Sequence, residues 1–135
     1  MFRTLAALSL ISLAGCATHL VPMSETRAVP KDRIYAVDAT QPSPGAQKIT
    51  VIRNAGAVFA AGVKVELSVD GRPVAAIATS ESLDLYIDPG EHLLRAKVGG
   101  LGQVFAATTV NVPSRFPIYR IDMTDSDIKL QPSIE

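Results

Sequence analysis

From Asp32 onward, apolar and polar residues alternate with a period of two. Val63, Val65, Leu67 and Val69 alternate with Lys64, Glu66 and Ser68, and Leu83, Leu85 and Ile87 alternate with Asp84 and Tyr86. That is the pattern of strands buried on one face. Apolar, β-branched runs predict further strands over residues 34–37, 48–53, 74–79, 92–98, 104–112, 117–123 and 128–130, about nine short strands in all. Turn residues separate them. Asp70-Gly71 suits a two-residue hairpin whose central positions both need positive φ. Pro89-Gly90 suits a type II turn, with Pro presetting the first central φ and Gly accepting a positive second one. Gly99-Gly100-Leu101-Gly102 and Asp125-Ser126-Asp127 are predicted to close two more hairpins. Pro73 has no N–H to give to a ladder, so its strand is expected at a sheet edge.

No stretch sustains helical apolar spacing over three turns, and the apolar segment 55–62 (AGAVFAAG) reads as a flexible crossing loop. Many short strands with regular turns predict an all-β fold, an antiparallel β-sandwich over residues 33–135. About 100 residues in two packed sheets bury enough core to fold without disulfides. Before it, residues 17–31 (ATHLVPMSETRAVPK) show neither period, and Pro22 and Pro30 interrupt any element that starts. Residues 16–32 are therefore expected to form a flexible tether reaching at most about 55–60 Å, with His19 a solvated side chain within it.

The first fifteen residues have another pattern. Arg3 supplies one positive charge, an apolar run from Leu5 to Leu13 is broken only by Ser9 and Ser12, and Ala14-Gly15 ends it with two small residues. This is the layout of a secretory signal peptide over residues 1–15. The run is shorter than the roughly 20 apolar residues a spanning helix needs. Leu13-Ala14-Gly15-Cys16 resembles the lipobox of bacterial lipoproteins at every position. The resemblance implies cleavage before Cys16, a diacylglyceryl group on its thiol and an acylated new amino terminus, palmitate being the typical acyl group. One acyl chain holds marginally at about 0.8 kcal/mol per buried CH₂, whereas two or three anchor stably. Ala17 stands where enteric-type sorting places the Asp that retains a lipoprotein at the inner membrane. The resemblance thus implies the outer membrane, with the domain facing the periplasm. Ordinary cleavage nearby, leaving Cys16 a chance thiol, is the alternative.

Thirteen basic residues balance thirteen acidic ones, which leaves no electrostatic footprint for nucleic acid and no polybasic run for an anionic membrane face. The single Cys rules out an internal disulfide, and with only two His it cannot complete a four-ligand zinc site without carboxylates. No cofactor or metal is expected.

Three stretches carry a second resemblance: Arg33-Ile34-Tyr35-Ala36-Val37, Val69-Asp70-Gly71-Arg72-Pro73-Val74, and Leu85-Tyr86-Ile87-Asp88-Pro89-Gly90-Glu91-His92. Their order resembles small domains of unknown function in bacterial envelope lipoproteins and, more distantly, PEGA-type surface β-domains. The likeness spans residues 33–123 and lies in turn signals, and the longer segment between Asn54 and Gly62 departs from it. It implies a sandwich of immunoglobulin or transthyretin type and brings no catalytic residues.

Nucleophilic catalysis needs a positioned base, and His92 is the only imidazole beyond the tether, with no evident partner. It shares a strand face with Leu94, Ala96 and Val98, which places it at the rim of the core with its ring reaching the Asp88 turn. G-x-S-x-G is absent, and the glycines at 99–102 lack the helix and Lys of a phosphate loop. Asp122, Asp125 and Asp127 lack the Gly and distal Glu of a calcium loop and read as a solvated turn. Four Phe, three Tyr and no Trp leave little for a sugar-stacking platform. Tyr86, outward beside Asp84, is the candidate, while Tyr119 shares a face with Ile121 and Met123 and belongs to the core. The expected function is non-enzymatic: a membrane-anchored binding or scaffolding module for another envelope protein, using sheet edges or loops, with Tyr86 and His92 as the candidate binding surface. A docking lipoprotein of an envelope secretion assembly, a small-ligand or cell-wall binder and a periplasmic hydrolase are the competing readings.

Overall fold

The computed structural model describes residues 18–56, 62–99, 104–124 and 126–135. Residues 1–17, which include the expected signal peptide and Cys16, and parts of the 55–62, 99–102 and 125–127 loops lie outside them. Nine strands are described: β1 (Arg27–Ala28), β2 (Gln47–Arg53), β3 (Val65–Val69), β4 (Arg72–Ile77), β5 (Glu81–Ile87), β6 (Gly90–Val98), β7 (Val104–Val112), β8 (Ile118–Met123) and β9 (Ile128–Ser133). They form two sheets in the orders β1-β5-β2-β8-β9 and β4-β3-β6-β7, an all-β sandwich as the alternation predicts. Along β5, Leu83, Leu85 and Ile87 are buried while Ser82, Asp84 and Tyr86 face outward. Ile49, Val51, Leu85 and Ile121 of one sheet meet Leu67, Leu94, Ala96 and Val110 of the other in a shared core. Removing this apolar surface from water is the main drive to stack the sheets.

Two pairings depart from the antiparallel expectation: β2 runs parallel to β8 and β1 parallel to β5. Parallel neighbours need a long crossover, and β3 to β7 supply it between β2 and β8. Counted as seven strands from β2 to β8, the second, third, fifth and sixth share a sheet. An immunoglobulin constant domain instead groups the first, second, fourth and fifth, so the strand grouping here is not that of an immunoglobulin constant domain. The Asp70-Gly71 hairpin forms as predicted, with φ of 51° and 81°. Gly90 has the positive φ expected, 125°, but the turn before it carries the chain from one sheet to the other instead of closing a hairpin. Pro73 lies on the edge strand β4.

Three further expectations fail. Residues 18–32 are no tether: His19 bridges Ala55, β1 pairs with β5, and Val21 and Val29 are buried. Single bridges and a two-residue strand are too short to show a period, which is why the sequence looked structureless. Second, residues 34–37 are not a strand. Ile34 makes one bridge to Ala75, Tyr35 and Ala36 give their N–H groups to the Val74 carbonyl, and Val37–Thr40 is a 3₁₀ turn. Third, β9 continues through Pro132 to Ser133, which an edge strand tolerates.

The registers define two ends of the sandwich. Arg53, Ile77, Glu81, Val98, Val104 and Met123 share one, because Arg53 pairs with Ile121, Val65 with Ile77, and Val98 with Val104. The buried Arg53 guanidinium closes this end by donating to the carbonyls of Val63 and Ile77. Gln47, Ile87, Gly90 and Val112 lie at the other. The N-terminal segment enters at the Arg53 end.

Candidate functional site

The Gly90 end carries a cleft of about 460 Å³. Val69, Val74, Leu85 and Ile87 line its floor, and Asp38, Asp70, Arg72, Tyr86, Asp88 and His92 line its rim. The two binding candidates read from the sequence, Tyr86 on β5 and His92 on β6, thus come from different sheets to one depression.

Backbone geometry builds the rim. The two positive-φ residues of the β3–β4 hairpin turn the Asp70 side chain across the start of β6. The Asp70 N–H donates to the Leu93 carbonyl at 2.8 Å, and its Oδ1 accepts the Leu93 N–H at 2.8 Å. Its Oδ2 lies 2.6 Å from His92 Nδ1, while His92 Nε2 lies 2.8 Å from the Asp88 carbonyl. A carboxylate and a carbonyl both only accept, so the ring satisfies both partners at once only as the imidazolium. The Asp70 hydrogen bond raises the His92 pKa above its ordinary 6.5, against the opposing effect of burial. His92 in turn holds Asp70 below the ordinary carboxylate value. The contact to the Asp88 turn expected from the sequence is present. Asp70, the partner the sequence did not reveal, was read there only as a turn former.

A second pair closes the opposite wall. Arg72 donates through Nη1 to Asp38 Oδ2 at 2.8 Å and through Nη2 to Asp38 Oδ1 at 2.7 Å, the two-pronged geometry that Arg offers a carboxylate. Asp38 sits on the 3₁₀ turn that replaces the expected strand, and Arg72 holds its pKa low. These partners are 34 positions apart, and no local sequence signal joins them. Tyr86 is half-buried beside this rim.

The remaining sequence candidates lie elsewhere. Cys16 is outside the described residues. Tyr119 is buried, as expected, with its hydroxyl 3.2 Å from Ser114 Oγ. Asp122, at the Arg53 end, accepts from Asn54 Nδ2 at 2.8 Å. His19 is exposed and engaged through its backbone. Among the described residues no group of three His, Cys, Asp or Glu side chains could hold a metal ion. In comparison with known proteins, the chain matches no family model, no curated protein and no solved structure.

Proposed function

We propose that this chain is a lipid-anchored, non-enzymatic binding module of the bacterial cell envelope that receives its partner at the Tyr86–His92 cleft. What carries this is the convergence of Tyr86 and His92 on one preformed depression with an apolar floor and a polar rim, the usual make-up of a recognition site. Four of the rim charges stand in pairs, Arg72 with Asp38 and His92 with Asp70, and Asp88 adds a further carboxylate. An imidazolium held by Asp70 and the Asp88 carbonyl is a poor general base, since its proton must first be given up, but it is a well-oriented donor and a rigid wall. The lipobox supports acylation at Cys16, and Ala17 supports the outer membrane with the domain in the periplasm.

Photo-cross-linking in intact cells tests this reading, with the cross-linker at Tyr86 and a control at Thr109 on the outer face of β7. A specific envelope-protein adduct at Tyr86 and none at Thr109 is expected, along with a mature N-terminal mass that carries acyl groups on Cys16. Adducts with cell-wall glycan in place of protein would move the assignment to a cell-wall binder. An unmodified N-terminus, or equal adducts at the two positions, would overturn it. In Cys16→Ser the membrane-bound form is expected to be lost.

A further inference from the structure

We infer that the sandwich rests directly on the lipid surface by its Arg53 end, so that the Tyr86–His92 cleft is held at the far end and faces away from the bilayer. The inference rests on the lipoprotein reading above and adds an orientation to it. Only Ala17 separates Cys16 from Thr18, a span of at most about 7 Å. From there the chain is fastened. The His19 N–H donates to the Ala55 carbonyl at 2.8 Å and the Ala55 N–H returns to the His19 carbonyl at 3.0 Å. The Val21 N–H donates to Asn54 Oδ1 at 3.2 Å, and Arg120 Nη1 donates to the Val21 carbonyl at 2.9 Å. Val21 itself is 7% exposed. An acylated Cys16 therefore has no slack to lift the domain, and the end nearest the anchor is the Asn54–Ala55 end.

That end presents apolar side chains to a lipid surface. Leu20 is 62% exposed, Val104 39% and Phe105 57%. Phe105 lies under the Arg95 guanidinium, 4.4 Å from its ring centroid. An aromatic ring with a cation above it has the apolar body and polar tip that suit the headgroup boundary. The cleft is a strand length away: nine residues of β6 separate the ends, about 30 Å. A tether of the length expected from the sequence would instead let the cleft sample every orientation.

The test uses the full acylated protein in phosphatidylcholine vesicles doped with a headgroup-proximal nitroxide lipid. Cys16 is blocked by its lipid, so a fluorophore can be placed singly through Lys64→Cys, at the Arg53 end, or Ser43→Cys, beside the cleft. Several-fold quenching at position 64 and none at position 43 is expected. Equal quenching at both, or none at 64 in a protein whose mass confirms acylation, would overturn the orientation and leave the anchor standing. A chain without acyl groups would overturn the anchor and the orientation together.

Discussion

His92 gives both of its ring protons to acceptors, Asp70 Oδ2 at 2.6 Å and the Asp88 carbonyl at 2.8 Å, so the cleft rim is locked by a cation that exists only below the folded-state pKa of that ring. The hairpin turn, the sheet-to-sheet turn and the start of β6 are thereby tied through one imidazole.

A pH dependence follows from this lock. His92 is raised above 6.5, so its contribution to stability is complete below the unfolded-state pKa and is lost as pH rises through the folded one. Asp70 is lowered below 3.8, so its contribution is complete above that value and is lost as pH falls through its folded pKa. The pair therefore contributes most between about pH 4 and 6.5. Asp70 is half exposed, and solvent screening keeps the contribution within about 1 kcal/mol. Urea midpoints of the wild type and His92→Asn should be well separated at pH 5.5 and draw together as pH rises through the folded-state pKa of His92. A constant separation would place the effect in packing alone.

Gly90→Ala should cost more than His92→Ala. At φ of 125° a Cβ is strained although nothing lies within 4 Å of it, and such positions cost about 1–3 kcal/mol. His92→Ala removes two hydrogen bonds at a partly solvated rim, about 1 kcal/mol net. If His92→Ala left stability intact and removed cross-linking at Tyr86, the ring would be a recognition group first and a structural one second.

Legibility in the sequence followed the range of each interaction. The period-two alternation of 63–69 and 83–87, and the Asp70-Gly71 turn, are local, and each stands where predicted. Tyr86 and His92 could be picked out because outward and rim positions follow from that same alternation. Their meeting could not be foreseen, because it depends on β5 and β6 lying in different sheets, and a Pro-Gly turn reads the same whether it closes a hairpin or crosses a sandwich. Asp38–Arg72 and Asp70–His92 span 34 and 22 positions and leave no spacing signal. Residues 18–32 were misread for another reason: backbone bridges made one residue at a time need no apolar pattern.

Glu81→Ala should be among the most destabilising single changes at the Arg53 end. Glu81 accepts from Arg33 Nη1 at 2.8 Å, Arg33 Nη2 at 2.5 Å and the Ala78 N–H at 2.7 Å. Burial pushes its carboxyl up, but Arg33 and the Ala78 N–H outweigh this and hold it below its ordinary value. Removing one partner of a buried pair costs roughly 3–5 kcal/mol, whereas replacing both with apolar residues is often near neutral. With 7% of the Glu81 side chain and 18% of Arg33 exposed, the lower part of that range is expected, and Arg33→Met/Glu81→Leu should recover much of the loss. In chemical denaturation the wild type should also weaken as pH falls through the lowered Glu81 pKa, a step absent from Glu81→Ala.

Arg120→Met should release the N-terminal segment without unfolding the sandwich. Arg120 is 4% exposed and serves three acceptors: the Val21 carbonyl at 2.9 Å, Asn54 Oδ1 at 2.8 Å and the Glu135 carbonyl through Nε at 2.7 Å. Burial pushes its pKa down, a cost these bonds offset. Met keeps the aliphatic length but donates nothing, so two buried acceptors lose a partner at about 1–3 kcal/mol each. The chain can avoid most of that cost by lifting residues 18–22 into water, because the ladders of β2 and β8 do not depend on them. Amide exchange at Val21 and Ala55 should therefore accelerate by orders of magnitude while Val51 and Ile121, in the central strands, stay protected. Asn54→Ala, which removes the acceptor shared by Val21 and Arg120, should loosen the same two amides. In the acylated protein either change converts the fastened segment into the tether its sequence suggests, and quenching at position 64 by the nitroxide lipid should then fall. Unchanged exchange at Val21 in both variants would show that burial of its side chain, not the Arg120–Asn54 clamp, holds the segment down.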